Sequence, residues 1–315
     1  MSRKNKLIPA CAAMLAAIAF PSAAQETEGQ PDNFSYKADR GDRMTVPIRI
    51  SGSGPFDFLV DTGSERTVIS RELATRLQLA PGRSALMHSM SGAGTVQTVV
   101  IPQLDLSRRS VRDIHAPALA EMHLGSDGLL GVDGLQAQRV IFDFRNKVIS
   151  VSPANRRAER RARDEIVVTA RSRFGRLILA DARVEGEKVW VVVDTGSQVS
   201  IGNDALRRRL EKKRKIRLPM NRINMTSVTG STIQADYTIV NGLEIGGLKM
   251  TDMPLAFADV HPFKKLDLED RPAMMLGMDA LSAFDRVSMD FLNRTVRFTL
   301  QDASVPAPTR YAALR

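Results

Sequence analysis

The sequence predicts a mainly β protein made of two similar lobes, each the size of a small domain. The first observation is an internal repeat, in which motifs of the first half return about 133 residues later. The second is a short alternation of apolar and polar residues in both halves, typical of half-buried strands, with only one or two short helices in each half. The third is composition, because 43% hydrophobic and 25% charged residues fit a folded protein with ample core.

The first 24 residues predict a secretory signal peptide. They begin with basic residues at positions 3, 4 and 6, continue with an apolar run over 7–20, and end on small residues over 22–24. This order and the shortness of the apolar run indicate cleavage between Ala24 and Gln25, with an uncleaved membrane anchor as the alternative. We therefore expect a periplasmic or secreted protein with no stable membrane insertion after cleavage.

Cysteine and charge content exclude several function classes. The only cysteine, Cys11, lies in the predicted signal, so the mature chain would have no disulfide, no thiol nucleophile and no cysteine-bound zinc. The net charge of +10 is concentrated in basic runs at 156–163 and 207–217. Such runs can contact nucleic acid or anionic lipid, but we interpret them as a solvated linker and a helix face and expect no nucleic-acid partner.

The repeat is most evident in an Asp-Thr-Gly-Ser motif that follows an apolar segment. It occurs at 61–64 and again at 194–197. Each copy is followed by a predicted helix that opens on an N-cap residue, Ser70 in the first half and Asn203 in the second. Three more features recur in the same order: glycine-bearing hairpin tips in 88–97 and 226–234, apolar-glycine segments at 128–135 and 274–281, and closing strands at 141–151 and 288–298.

The boundary between the lobes is expected where apolar periodicity gives way to charge. The predicted domain arrangement is a signal peptide at 1–24, an N-terminal lobe at 25–151, a basic linker at 152–165, a C-terminal lobe at 166–302 and a tail at 303–315.

The two copies of the motif predict carboxylate chemistry. One Asp-Thr-Gly-Ser alone is equally well explained as a polar turn. Two copies on similar lobes would bring Asp61 and Asp194 face to face, where they must share a proton. The ionised carboxylate can then take a proton from a water that attacks a carbonyl, while the protonated one donates to the carbonyl oxygen. This chemistry needs no metal and no cofactor, and we expect neither.

The mature chain resembles the retropepsin-like branch of the aspartic proteases, the superfamily that includes the pepsins. The resemblance is carried by the two Asp-Thr-Gly-Ser motifs and by Leu129–Gly131 and Met275–Gly277. It implies a bilobal acid-protease fold of two homologous β-barrel lobes, in which each apolar-glycine segment braces a catalytic turn. It also implies an aspartic endopeptidase that binds an extended peptide between its lobes and works as a monomer.

The resemblance implies a role for each motif residue. Asp61 and Asp194 would form the catalytic dyad, the threonines would hydrogen-bond across the lobes, and the serines would hydrogen-bond the outer carboxylate oxygens. The dyad-supporting positions are Thr62, Gly63, Ser64, Thr195, Gly196 and Ser197. The flap positions, which would close over the peptide, are Ser91, Gly92, Ala93, Gly94, Thr229, Gly230 and Ser231. Two flaps without a tyrosine make the chain more similar to a fused retroviral dimer than to a pepsin.

One alternative function remains open from the sequence. A catalytically silent module could use the same fold to bind a peptide or regulate a partner, although both aspartates and both glycines of the motifs are retained. The four histidines at 88, 115, 123 and 261 show no ligand spacing, so we interpret them as surface or packing residues.

One segment of the sequence resembles a motif that binds a partner protein. Residues 164–171 resemble the TonB box, which pairs as an added strand with a periplasmic energy-transducing protein. The favoured interpretation of 165–170 is structural, because the repeat makes this segment the leading strand of the second lobe.

Overall fold

The computed structural model of the protein describes residues 31–35, 43–106, 109–155, 165–216 and 220–300. The predicted signal peptide, most of the predicted linker and the predicted tail lie outside the described residues. The remaining strands and helices confirm a mainly β fold in two lobes.

The first half contains eleven strands and three short helices among its described residues. Its strands are β1 (Asp32–Ser35), β2 (Thr45–Ile50), β3 (Ser53–Val60), β4 (Val68–Ser70), β5 (Ala85–Ser89), β6 (Gly92–Val96), β7 (Thr98–Leu106), β8 (Arg109–Leu119), β9 (Gly128–Leu130), β10 (Gln138–Asp143) and β11 (Val148–Pro153). Its helices are α1 (Arg71–Arg76), α2 (Glu121–Leu124) and α3 (Val132–Leu135).

The second half repeats this layout with twelve described strands. They are β12 (Glu165–Arg173), β13 (Arg176–Val184), β14 (Glu187–Val193), β15 (Ile201–Gly202), β16 (Asn221–Thr226), β17 (Thr232–Val240), β18 (Leu243–Ile245), β19 (Leu248–Met250), β20 (Met253–Phe257), β21 (Ala273–Leu276), β22 (Arg286–Asp290) and β23 (Thr295–Thr299). The helices are α4 (Asp204–Lys212), α5 (His261–Lys265) and α6 (Met278–Leu281). Each half thus has three short helices instead of the one or two expected, because single turns follow β8, β9, β20 and β21.

The two predicted helices after the repeated motif are confirmed as α1 and α4. The Ser70 side chain accepts a hydrogen bond from the backbone N–H of Leu73, and the Asn203 side chain accepts one from Leu206. These caps satisfy N–H groups that the first helical turn leaves without an intrahelical partner. In α4 the apolar side is buried, whereas most of the basic residues over 208–215 are exposed.

The lobes are built on the same ring of strands. In the first lobe β2, β3, β9, β4, β8 and β7 form a closed barrel. The second lobe follows the same order through β13, β14, β21, β15, β20 and β17, but the strand that closes the ring is divided at Asn241–Gly242. Its second piece, β18, returns to pair with β13. The predicted second barrel therefore has an interrupted closing strand.

A sheet shared by both lobes joins them. Its strand order is β1, β11, β10, β22, β23 and β12, with the β10–β22 pair in the middle. In that pair Ile141 lies opposite Ser288, the residue that corresponds to it in the repeat. A residue can face its own counterpart only at a local twofold axis, so this pair marks the pseudo-twofold axis that relates the lobes.

The shared sheet also shifts the expected boundaries of the linker. Ser152 and Pro153 belong to β11 and Glu165 begins β12, so both ends of the predicted linker are strand residues. Residues 165–171 of the segment that resembles a TonB box lie in β12, where Glu165–Thr169 pair with β23 and Ala170 pairs with Leu179 of β13. This is the structural interpretation of the segment; partner binding through it stays a prediction.

Buried aromatic and aliphatic side chains form a core that is continuous across the shared sheet. It includes Phe58 of the first barrel, Phe142 of β10 and Phe298 of β23, which are almost fully buried. Because apolar burial is the main stabilising term in folding, this continuity holds the two lobes in a defined relation. Among the described residues, no helix combines the length and the apolar character needed to cross a membrane.

Candidate active site

The two motif aspartates stand at the ends of equivalent buried strands. Asp61 follows β3 and Asp194 follows β14. Each strand pairs in parallel with an apolar segment of the same lobe, β9 or β21. The backbone N–H of Asp61 donates to Leu130 O at 3.0 Å, and that of Asp194 donates to Leu276 O at 3.0 Å. The apolar-glycine segments therefore lie behind the motifs and fix the position of each aspartate.

The two turns face each other across the interface between the lobes. Gly63 N–H donates to Asp61 Oδ1 at 2.9 Å, and Gly196 N–H donates to Asp194 Oδ1 at 3.0 Å. A Cβ atom at Gly63 would lie 2.4 Å from Asp194 Oδ1, and one at Gly196 would lie 2.3 Å from Asp61 Cγ. Real Cβ contacts are never that short, so each glycine leaves the space that the opposing carboxylate occupies.

Reciprocal hydrogen bonds between two buried threonines hold the turns in register. Thr62 N–H donates to Thr195 Oγ1 at 3.1 Å, and Thr195 N–H donates to Thr62 Oγ1 at 3.1 Å. The Thr62 hydroxyl also donates to Val193 O at 2.8 Å, and the Thr195 hydroxyl donates to Val60 O at 2.6 Å. These four bonds cross from lobe to lobe directly beneath the carboxylates, so neither aspartate can move without the other.

Burial and proximity keep a proton on the pair. Burial raises the pKa of Asp61, against the hydrogen bond from Gly63 and the charge of Arg176. Burial, followed by the negative charge of Asp61, raises the pKa of Asp194 to about 7. Two carboxylates in contact titrate as a unit, so the site holds one shared proton over a wide pH range below about 7.

Comparison with protein families identifies each half separately. Residues 46–137 match the family model for the gag-polyprotein aspartyl protease, and residues 180–280 match the model for aspartyl protease. The chain is two aspartyl protease domains in tandem. The two matches contain one Asp-Thr-Gly-Ser motif each, and together they cover more than half of the 315 residues. No curated protein matches the chain.

The motif serines of these aspartyl protease domains differ from the expected role. Ser64 Oγ donates to Arg66 O at 2.8 Å and Ser197 Oγ donates to Val199 O at 2.7 Å, so neither hydroxyl donates to a carboxylate. The serines reach the carboxylates through their backbone N–H groups instead, and these hydrogen bonds act against the burial that raises the pKa of Asp61 and of Asp194. Short polar side chains readily bond a backbone carbonyl two residues on, and here they close each turn from within.

A second carboxylate in each aspartyl protease domain accepts hydrogen bonds from the segment that follows the motif turn. Asp133 Oδ1 accepts from the Thr67 hydroxyl at 2.8 Å and from Thr67 N–H at 2.9 Å. Asp279 repeats this arrangement with the hydroxyl of Ser200 at 2.7 Å and its N–H at 2.9 Å. These aspartates accept several hydrogen bonds within their own lobe.

The structure also places at the site a buried arginine that was not predicted from the sequence. Arg176 is 3% exposed, and its Nε–H donates to Gly63 O at 2.6 Å, across the interface between the lobes. Its Nη1 lies 3.3 Å from Glu65 Oε1. Arg43 occupies the corresponding place 133 residues earlier and donates to Leu124 O at 3.2 Å. That repeat of an arginine at the same distance before both aspartates was the available signal.

The flap residues of both aspartyl protease domains lie at the tips of hairpins. Ser91 lies in the turn between β5 and β6, whereas Gly92, Ala93 and Gly94 lie in β6. Thr229, Gly230 and Ser231 form the turn between β16 and β17. The two tips meet, because Ser91 Oγ lies 3.5 Å from Thr229 Oγ1.

Three histidines also lie at these flap contacts. His88 Nδ1 is 2.7 Å from His261 Nε2, and a Cβ atom at Gly230 would lie 2.5 Å from His123 Nε2. His123 lies in α2 and His261 is the first residue of α5; they are 138 residues apart, the same spacing that relates the tips of the two flaps. The interpretation of the histidines as surface or packing residues missed this, because the spacing of the repeat is already 138 residues at the flaps instead of the 133 that relates the aspartates. In the described part of the chain, no group of three or more His, Cys, Asp or Glu residues is arranged to hold a metal ion.

Proposed function

We propose that the chain is an aspartic endopeptidase that cleaves peptide bonds of an exported protein. The observation that carries the proposal is the dyad: Asp61 and Asp194 come from equivalent turns, oppose each other's glycine, and both have a raised pKa, which favours one shared proton. The proposed catalytic residues are thus supplied once by each lobe of one chain. No second copy is needed, and the protein should work as a monomer.

The geometry supports a water-mediated mechanism. A water between the carboxylates would lose a proton to the ionised aspartate as it attacks the scissile carbonyl carbon, while the protonated aspartate donates to the carbonyl oxygen. The tetrahedral intermediate would then break as the leaving nitrogen takes up a proton. Burial raises the pKa of both aspartates, so the aspartate that holds the shared proton would act as the acid and the other as the base.

The substrate would be an extended peptide lying between the dyad and the two flaps. Backbone N–H and C=O groups of an extended peptide can pair with the flap strands, in the same way as an added strand pairs with a sheet edge. The tips at Ser91 and Thr229 meet above this path. A narrow choice of exposed segments fits two short flaps better than general digestion does.

The proposal also includes export of the protein and a TonB-like partner. The basic start, apolar run and small residues of 1–24 support a signal peptide, and hence a periplasmic or secreted site of action. A TonB-like partner at 165–170 has weaker support, because those residues already pair within the protein. A pull-down of the mature protein with the transducer's periplasmic domain tests this partner, with a scrambled 165–170 segment as control.

The alternative function is a silent peptide-binding or regulatory module. The retained dyad, glycines and threonine bonds disfavour it, since a binding module has no use for a shared proton in its cleft. The two functions are separated by incubating purified mature protein with denatured proteins from pH 3 to 8. Wild type should cleave, whereas Asp61→Asn and Asp194→Asn should not, and the exposed Asp57→Asn should cleave as wild type does. Binding without cleavage by wild type would favour the silent module, and cleavage by either dyad variant would refute the dyad.

A further inference from the structure

Each flap tip is docked on the opposite lobe. Met90, at the tip of the first flap, packs against an apolar cluster of the second lobe that includes Val260 and Phe263. Its carbonyl oxygen accepts a hydrogen bond from His261 N–H at 3.0 Å. Val228, which corresponds to Met90 in the repeat, packs in turn against a cluster of the first lobe. Both flaps therefore lie closed, and a substrate can reach the dyad only if at least one tip undocks.

A chain of three nitrogen groups lies beside the docked tip of the first flap. His88 on β5 approaches His261 on α5, with Nδ1 and Nε2 2.7 Å apart and ring planes within 4° of parallel. The other nitrogen of His88, Nε2, lies 3.5 Å from Lys265 Nζ. This chain joins the flap strand to the helix on which the flap rests.

The chain of nitrogens is complete only when both rings are neutral. A lysine ammonium can only donate, so it requires Nε2 of His88 to be an acceptor. His88 then carries its proton on Nδ1 and donates it to Nε2 of His261. Any further proton on either ring places two donors face to face, either between the rings or between His88 and Lys265.

The surroundings of His88 also disfavour its protonation in the closed form. Burial lowers the pKa of His88, and the positive charges of Lys265, His261 and Arg176 lower it further, whereas only Glu65 acts against them. The open flap would expose His88 to water, where its pKa returns toward about 6.5. The open form therefore binds the proton more tightly, and acid shifts the equilibrium toward it.

We propose that the first flap is a proton-gated lid, held shut by the neutral His88–His261–Lys265 chain and released on acidification. The inference rests on the proposed function, because the lid controls access to the proposed cleft. Closure is strongest well above pH 6.5 and weakens as the pH falls through that value, by at most about tenfold per pH unit, until His88 is also protonated in the closed form. Acid would thus open the cleft in the pH range where the dyad holds its shared proton.

The second flap offers a comparison within the same molecule. Its tip meets His123 through Gly230, which has no ionisable side chain. Protonation of His123 therefore sets no pair of donors face to face at that contact, and the second flap should respond less to pH than the first.

Hydrogen exchange at one amide measures the gate directly and needs no substrate. The N–H of His261 is bonded to Met90 O, so it exchanges only when the flap undocks. The N–H of Leu266 is bonded to Pro262 O within the same helix and serves as the internal reference. After correction for intrinsic exchange, the protection of His261 should fall by up to about fivefold from pH 6.5 to 5.5 while that of Leu266 stays constant.

Three variants test whether His88 causes the loss of amide protection at low pH. In His88→Gln the fall at His261 should vanish, because glutamine can donate and accept but does not titrate in this range. In His115→Gln, the matched control on β8, the fall should persist. Lys265→Met removes the positive charge that opposes protonation of His88 in the closed form. The fall in protection at His261 should therefore be smaller in this variant than in wild type. A wild-type protection that is constant with pH, or a fall retained by His88→Gln, would overturn the gate. Neither result depends on cleavage of a substrate, so neither would contradict the proposed protease activity, which is tested separately.

Discussion

Replacement of Asp194 by asparagine should stabilise the fold at neutral pH, although it removes half of the proposed dyad. In the native protein burial and the charge of Asp61 raise the pKa of Asp194 from 3.8 to about 7. Between these values the unfolded chain releases a proton that the native state keeps, so the native state loses stability as pH rises from about 4 to 7. At one pKa unit per 1.36 kcal/mol, the penalty reaches about 4 kcal/mol and stays constant at higher pH.

Asparagine has nearly the same shape as aspartate, and its oxygen can still accept from Gly196 N–H. The variant therefore avoids the penalty and keeps the contact. Thermal unfolding followed by circular dichroism should give a midpoint up to about 8 °C above wild type at pH 8, and a much smaller difference at pH 4. Asp57→Asn, an exposed aspartate of β3, should match wild type at both pH values. A variant that is no more stable than wild type at pH 8 would refute the assignment of a strained, proton-sharing pair.

Three further outcomes follow from the same site. Thr195→Val removes a hydroxyl that both donates and accepts across the lobes, so denaturant unfolding should show a loss of about 2–4 kcal/mol; an unchanged midpoint would contradict this role. Gly196→Ala sets a methyl group against Asp61 and should abolish cleavage in a peptide assay, whereas Gly242→Ala, where the added atom has room, should retain it. Wild-type cleavage should decline as pH rises through about 7, when the dyad loses its shared proton, and a rate that is constant through that range would exclude proton sharing.

Much of the fold could be predicted because the sequence repeats, so each half can be compared with the other. One Asp-Thr-Gly-Ser could be any polar turn, but a second copy followed by the same helix, hairpin and apolar-glycine segment implies a second lobe. The N-caps Ser70 and Asn203 could be read locally, since capping depends on residues only three positions apart. The divided closing strand at 241–242 could not, because an interruption in a ring of strands depends on how distant strands pair.

The contacts between the lobes could not be predicted from a repeat with one fixed spacing. His123 and His261 are 138 residues apart, not 133, so they fall out of register with the aspartates. Ser64 was expected to bond a carboxylate, but its hydroxyl finds the nearer carbonyl of Arg66. The cross-lobe role of Arg176 is likewise set by how the lobes dock, which local propensity does not contain.

The central claim is that Asp61 and Asp194 of one chain form one hydrolytic site. It is tested most directly by mixing the Asp61→Asn and Asp194→Asn variants in equal amounts and measuring cleavage of a denatured protein beside wild type. If both aspartates act within one chain, wild type cleaves at a rate proportional to its concentration and the mixture is as inactive as each variant alone. Activity regained by the mixture would mean that two chains build the site together and would contradict the account.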